Sequence, residues 1–167
     1  MLETIFERRT IRKYQEKEVS NDIVIKLLKA GMAAPSARNK QPWEFYVIEN
    51  KDIQKRIKDY SPAYNYNSPL LILVCGNKTR FNTDKINDFY IQDCSAAIQN
   101  ILLAAKSMGL GTCWCGVNPV EERMEFISKT LDLENHIIPL GLIHVGYPAE
   151  EKEAHTKYNE NYIKIIK

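Results

Sequence analysis

The sequence has no strong excess of charge of one sign. Its 167 residues include 23 Lys and Arg against 21 Asp and Glu, which gives a formal net charge of +2 at pH 7. A nucleic acid or an anionic membrane surface is attracted by a net positive field, and this balance provides almost none. We therefore expect no nucleic-acid partner, and any basic cluster in the chain has to act locally.

Long hydrophobic runs and a cysteine scaffold are also missing. No segment approaches the roughly 20 apolar residues of a membrane-spanning helix, and residues 1–14 are charged from Glu3 onward, unlike a signal peptide. Four cysteines lie in apolar surroundings without disulfide-scaffold spacing, as in reduced intracellular proteins: Cys75, Cys94, Cys113 and Cys115. These features predict a cytoplasmic protein that does not associate with membranes.

Apolar spacing predicts a mixed order of helices and strands. Steps of three and four residues indicate helices over residues 2–6, 21–33, 52–60, 93–108 and 119–131, the last with Asn118 as N-cap and Pro119 at its first position. Strand patterns cover residues 43–48, 70–75, 112–116 and 141–147. The continuous apolar run at 70–75 is typical of a mid-sheet strand. The chain is thus predicted to be one α+β sandwich spanning residues 1–167.

A basic segment follows the first predicted helix, with the sequence Arg-Arg-Thr-Ile-Arg at residues 8–12. An extended backbone would place Arg8, Thr10 and Arg12 on one side. Guanidinium groups bind phosphate oxygens through two parallel hydrogen bonds, so this segment could hold one phosphate. A solvated basic turn that complements a helix C-terminus explains the same residues. The segment alone leaves both interpretations open.

A polar loop bounded by two prolines covers residues 35–42. Its small residues permit close approach, and its amide side chains can read the donors and acceptors of a flat heterocycle. An ordinary connection between a helix and a strand, shaped by its prolines, is the competing interpretation.

A glycine-rich stretch at residues 109–116 contains Cys113 and Cys115. It ends a helix and opens a strand, whereas a dinucleotide-binding glycine loop follows a strand and opens a helix, so that motif is excluded. The two cysteines share a strand face, but Cys-x-Cys without clustered histidines is a weak metal or redox motif. We interpret them as buried thiols and expect no metal.

In order and spacing, four motifs resemble the FMN-dependent nitroreductase family. They are Arg-Arg-Thr-Ile-Arg at 8–12, Pro-Ser-Ala-Arg-Asn-Lys-Gln-Pro-Trp at 35–43, Gly-Leu-Gly-Thr-Cys-Trp at 109–114 and Gly-Tyr-Pro at 146–148. The resemblance covers nearly the whole chain. It implies a central, mainly antiparallel sheet flanked by helices, in a homodimer whose C-terminal arms, about residues 150–167, wrap onto the partner subunit.

The resemblance also implies a set of cofactor-binding residues. The FMN phosphate and ribityl end would be held by Arg8, Arg9, Thr10 and Arg12, with His155 and Lys157 as a second basic contact. Residues from the opposite subunit would reach the flavin ring: Pro35, Ser36, Ala37, Asn39 and Gln41. Backbone at Trp114, Cys115 and Gly116 would lie near flavin N5. The family's late Arg is replaced here by His155 or Lys157, which exchanges a bidentate fork for a weaker contact.

The function implied by the resemblance is hydride transfer from NADH or NADPH through flavin N5 to a small electron acceptor, such as a nitroaromatic or a quinone, in a ping-pong scheme. We assign no catalytic acid or base, because the flavin carries the redox chemistry. A flavin-storing or flavin-sensing protein of the same fold is the alternative. The connection between Phe81 and Phe89 is brief, so the helical insertion that often covers the substrate face in the family is expected to be absent.

Overall fold

The computed structural model describes residues 2–81 and 89–167. The connection between Phe81 and Phe89, where the helical insertion is expected to be absent, lies outside the described residues. The helices are α1 (Leu2–Glu7), α2 (Asn21–Met32), α3 (Lys51–Tyr60), α4 (Lys78–Phe81), α5 (Phe89–Ser107) and α6 (Glu121–Leu131). The strands are β1 (Trp43–Ile48), β2 (Leu70–Asn77), β3 (Gly111–Gly116) and β4 (Ile137–Gly146). Short 3-10 turns cover Ala37–Asn39 and Glu160–Tyr162. None of the described helices is long and apolar enough to cross a membrane.

The four strands form one sheet in the order β1-β2-β4-β3, with every neighbouring pair antiparallel. All residues of β2 are buried, because alternate side chains enter two cores on opposite faces of the sheet. Ile72 and Val74 pack toward α2 and α5, whereas Leu71 and Leu73 pack toward α3 and α6. The predicted α+β sandwich, with residues 70–75 at the centre of the sheet, is therefore confirmed.

Several predicted boundaries are wrong, and three of them have a clear physical reason or a large shift. Helix α6 begins at Glu121, because a turn closed by the Val120 N–H on the Val117 carbonyl precedes it and Val120 takes the N-cap position. The Asn118 amide therefore does not cap α6 and donates toward the Tyr90 hydroxyl at 3.4 Å. Strand β4 extends back to Ile137, since its pairing with β2 continues past a bulge. Helix α5 begins at Phe89.

The basic segment runs along the free edge of the sheet. Thr10 forms a parallel bridge with Thr112 of β3, and the Ile11 N–H donates to the Thr112 carbonyl at 2.9 Å. A Cβ added to Gly111 would lie 2.8 Å from the Cβ of Ile11, so only glycine permits this approach. Strand β3 thus fixes where the arginines of the basic segment leave the surface.

Candidate functional site

One cavity of about 570 Å³ lies between the basic segment and the C-terminal segment, which contributes residues from 152 to 158. Its volume is in the range of ordinary ligand sites. It brings together six of the residues predicted from the sequence, from two segments at opposite ends of the chain: Arg8, Arg9, Thr10, Arg12, His155 and Lys157. A further basic residue that was not predicted from the sequence, Lys152, also lines the cavity.

The lining of this cavity is strongly cationic. In the described part of the chain, none of the residues that line it is Asp or Glu. Five of them carry a fixed positive charge: Arg8, Arg9, Arg12, Lys152 and Lys157. Charges of one sign that line a concave surface raise the local concentration of ions of the opposite sign. The cavity is therefore suited to an anionic group.

Arg9 has an unsatisfied hydrogen-bond donor. Its Nη1 atom lies 2.7 Å from His155 Nδ1. Its Nε atom is buried and finds no hydrogen-bond partner among residues 2–81 and 89–167. A buried guanidinium donor without an acceptor is costly. An oxyanion in the cavity would supply that acceptor, so the residues present fit a phosphate group.

Arg12 is oriented by an aromatic side chain. Its guanidinium carbon lies 5.9 Å from the centroid of the Tyr66 ring. A side-chain hydrogen bond with Tyr66 raises the pKa of Arg12. The ring of Tyr66 in turn meets the buried His144 ring edge-on, with 5.1 Å between centroids. Arg12 therefore keeps its charge, and its position depends on a buried polar cluster on the α3 and α6 side of the sheet.

The loop at residues 35–42 has an unusual backbone. Three residues adopt positive φ: Arg38 at 53°, Asn39 at 55° and Gln41 at 48°. For side chains other than glycine this conformation is uncommon and carries strain. Strain of this kind persists only where surrounding contacts hold it, and it is found most often at functional sites.

Polar contacts hold this loop at both ends. The buried carboxylate of Asp93 accepts a hydrogen bond from the Ala37 N–H at 2.9 Å, and the Ser36 hydroxyl accepts one from the Gln41 N–H at 2.9 Å. Arg80 donates to the Gln41 carbonyl at 3.1 Å. The Asn39 and Gln41 side chains remain exposed and form a hydrogen bond with each other. The loop backbone is thus held in place, and the amide side chains of Asn39 and Gln41 are exposed on it.

The predicted site residues do not all meet within one chain. Ala37 lines a separate cavity of about 300 Å³ with Phe81 and Phe89. Trp114 and Gly116 line another, of about 170 Å³. Neither cavity shares a lining residue with the cationic one. Among the described residues, Ala37, Trp114 and Gly116 therefore do not line the cationic cavity.

The two cysteines of β3 are buried, as predicted from the sequence. Their sulfur atoms lie 3.8 Å apart, and the Cys115 thiol donates to the Ala63 carbonyl. The hydrogen bond with Cys113, followed by burial, raises the pKa of Cys115. Within residues 2–81 and 89–167, no group of three or more His, Cys, Asp or Glu side chains is placed to hold a metal ion.

Comparison with known proteins assigns the chain to a family. A model described as "Nitroreductase family" matches residues 5–63 and 64–147. The chain belongs to the nitroreductase family. The resemblance of the four sequence motifs is thereby confirmed.

Relatives of this nitroreductase-family chain match it over nearly their full length. A Methanothermobacter thermautotrophicus protein named "Putative NADH dehydrogenase/NAD(P)H nitroreductase" is 41% identical over 100% of this chain and 87% of its own. The solved structure of a Parabacteroides distasonis protein of the same name is 39% identical, with a TM-score of 0.92 and coverage of 98% and 96%. A Clostridium difficile FMN-dependent nitroreductase is 28% identical, with a TM-score of 0.87 and coverage of 99% and 98%. The nitroreductase-like fold is confirmed.

Proposed function

We propose that this protein is an NAD(P)H-dependent FMN oxidoreductase that reduces a small electrophile, such as a nitroaromatic compound or a quinone, in a ping-pong scheme. The general activity, NAD(P)H-dependent oxidoreduction with a flavin, is confirmed, because relatives that match nearly the whole chain are named NAD(P)H nitroreductase and FMN-dependent nitroreductase. The chain is accordingly an NAD(P)H-dependent oxidoreductase with FMN as its cofactor. Bound FMN supplies the hydride-transfer chemistry, and the protein supplies orientation and electrostatics.

The observation that carries the proposal is the cationic cavity with its unsatisfied Arg9 donor. A phosphate oxygen at Arg9 Nε would remove the cost of that donor, and Arg8 and Arg12 offer charge-assisted hydrogen bonds to the remaining oxygens. His155 and Lys157 close the cavity from the C-terminal segment. The FMN phosphate is the group that these residues would hold.

The flavin ring would be contacted by a second subunit. Within residues 2–81 and 89–167, no residue of the loop at 35–42 lines the cationic cavity, and the Asn39 and Gln41 side chains are exposed. The C-terminal segment also leaves large apolar side chains exposed, with Tyr162 at 83% and Ile166 at 97%. A homodimer would cover this segment and bring Pro35, Ser36, Ala37, Asn39 and Gln41 to the ring. Backbone at Trp114, Cys115 and Gly116 would lie beside flavin N5.

The test is an absorbance spectrum of the purified protein, followed by anaerobic titration with NADH and with NADPH. We expect a bound flavin spectrum that bleaches with at least one donor and recovers when a quinone or nitroaromatic is added. A protein that stays colourless after FMN addition would contradict the proposal. A flavin that stays oxidised with both donors would indicate a flavin-storing protein instead.

A further inference from the structure

Glu150 does not line the cationic cavity but lines an adjoining cavity of about 400 Å³, which shares Arg8, Arg9 and Lys152 with it. Its Oε1 atom accepts hydrogen bonds from the Arg12 N–H at 2.6 Å and the Lys13 N–H at 3.3 Å. These backbone hydrogen bonds, that of Arg12 first, lower the pKa of Glu150, so the side chain is a carboxylate at neutral pH. The Glu150 carboxylate, close to the anion site, is thus bound by backbone N–H groups of the segment that carries Arg12.

Lys152 completes this contact from the other side of the segment. Its Nζ atom donates to the Thr10 carbonyl at 2.7 Å and lies 3.3 Å from Glu150 Oε1. The ion pair therefore holds the C=O of Thr10 and the N–H groups of Arg12 and Lys13. The Ala149 N–H adds a hydrogen bond to the Lys13 carbonyl at 2.9 Å. The backbone that carries the arginines is held on one edge by β3 and on the other by residues 149–152.

We propose that Glu150 is a positioning residue for anion binding: it fixes the backbone from which Thr10 and Arg12 reach the cavity, without touching the anion. Guanidinium pairing with phosphate depends on the alignment of two parallel hydrogen bonds, so a small backbone shift is enough to lose it. The inference rests on the proposed function, because the anion is the phosphate of FMN. Lys152 neutralises the Glu150 charge and limits its repulsion of that phosphate.

The experiment compares the wild type with Glu150→Ala, Glu150→Gln and the control Glu151→Ala, which removes an exposed neighbouring carboxylate. Dissociation constants are measured for FMN and for riboflavin, which lacks the phosphate. Glu150→Ala should weaken FMN binding by about tenfold or more, the effect of one misaligned charge-assisted hydrogen bond, and change riboflavin binding by less than about twofold on the same reasoning. Glu150→Gln should restore FMN binding, because its amide oxygen can accept from the Arg12 N–H.

Amide hydrogen exchange at Arg12 and Lys13 provides a second measurement that needs no flavin. Protection should fall in Glu150→Ala and return in Glu150→Gln. The inference is overturned by an unchanged FMN affinity in Glu150→Ala, by an equal loss of affinity for both flavins, or by unchanged amide protection. A wild-type protein that binds no FMN would contradict the proposed function, and the amide exchange would still decide whether Glu150 holds the segment.

Discussion

The basic segment and the loop at residues 35–42 are both polar, yet they are held in place differently. The basic segment takes its shape from distant partners, namely β3, Glu150 and Lys152. The loop takes its shape from its own Ser36 and from Asp93 and Arg80, at the cost of three residues with positive φ. The basic segment carries charged side chains on a backbone without positive φ angles, whereas the loop carries amide side chains on a strained backbone.

Substitutions in these two regions should therefore affect different properties of the protein. Losing charge from the basic segment should affect the binding of an anion and leave folding largely unchanged, because several of its arginines face a cavity rather than a core. Losing an anchor of the loop should affect stability first, because strain is tolerated only while its contacts last.

The largest effect is expected from Arg8→Ala combined with Arg12→Ala. FMN binding should weaken by about 3–6 kcal/mol if both arginines pair with the phosphate, since each charged hydrogen bond contributes about 1.5–3 kcal/mol. The loss is measured by flavin fluorescence titration. The exposed Arg56 of α3 provides a control, Arg56→Ala, that should bind FMN normally. Normal flavin retention in the double variant would disprove phosphate binding by the segment.

Acid should destabilise the side of the protein that supports Arg12. Burial, followed by the charge of Lys58, lowers the pKa of His144 to about 3, whereas an unfolded histidine titrates near 6.5. As pH falls from about 6.5 to about 3, only the unfolded state gains this proton, so the free energy of unfolding should fall by up to about 1.4 kcal/mol per pH unit and roughly 4 kcal/mol in total.

Urea unfolding at several pH values measures this slope. The slope should decrease in the double variant Ser68→Ala with His144→Leu, because the buried imidazole is removed. Both residues are changed because His144 Nδ1 and the Ser68 hydroxyl are hydrogen-bond partners 2.8 Å apart. His136→Gln, at a partly exposed histidine, is the control. An unaltered slope in the Ser68 and His144 variant would assign the acid sensitivity to other groups.

A smaller effect is expected when the loop loses its acidic anchor. Asp93→Ala removes the acceptor of the Ala37 N–H and should lower the free energy of unfolding by about 1.5–3 kcal/mol. Asp93→Asn keeps an acceptor oxygen and should recover most of this loss. Urea denaturation measures both variants. Equal destabilisation by Ala and Asn would show that the negative charge, not the hydrogen bond, holds the loop.

The smallest effect is expected from relieving the strain in the loop. Arg38→Gly should raise the free energy of unfolding by about 0.5–1 kcal/mol, because glycine adopts positive φ without a steric penalty. Lys40 lies two residues on with φ at −70°, so Lys40→Gly should instead destabilise the protein slightly. Opposite signs in thermal unfolding of these two variants would support the strain, and equal signs would contradict it.

The sequence predicted the elements with a clear apolar period, and it predicted the site only in part. Strand β1 and the buried run of β2 follow from side-chain alternation and continuous apolarity, which are local properties. The start of α6 could not be predicted, because Asn118 and Pro119 form a favourable capping pattern that a turn at Val117 replaces. Glu150 and Lys152 were missed because an isolated charge carries no spacing signal, and their partners lie far away in the sequence.

The pairing of the basic segment with Glu150, Lys152 and His155 also affects the order of folding. Arg9 and His155 are 146 residues apart, and contacts at such separation form only after the intervening chain has become compact. During synthesis, the helix and strand pairs in the middle of the chain can assemble before the anion cavity has both of its walls. Capture of the cofactor should therefore be a late event in maturation, and a nascent chain that lacks its last residues should remain without flavin.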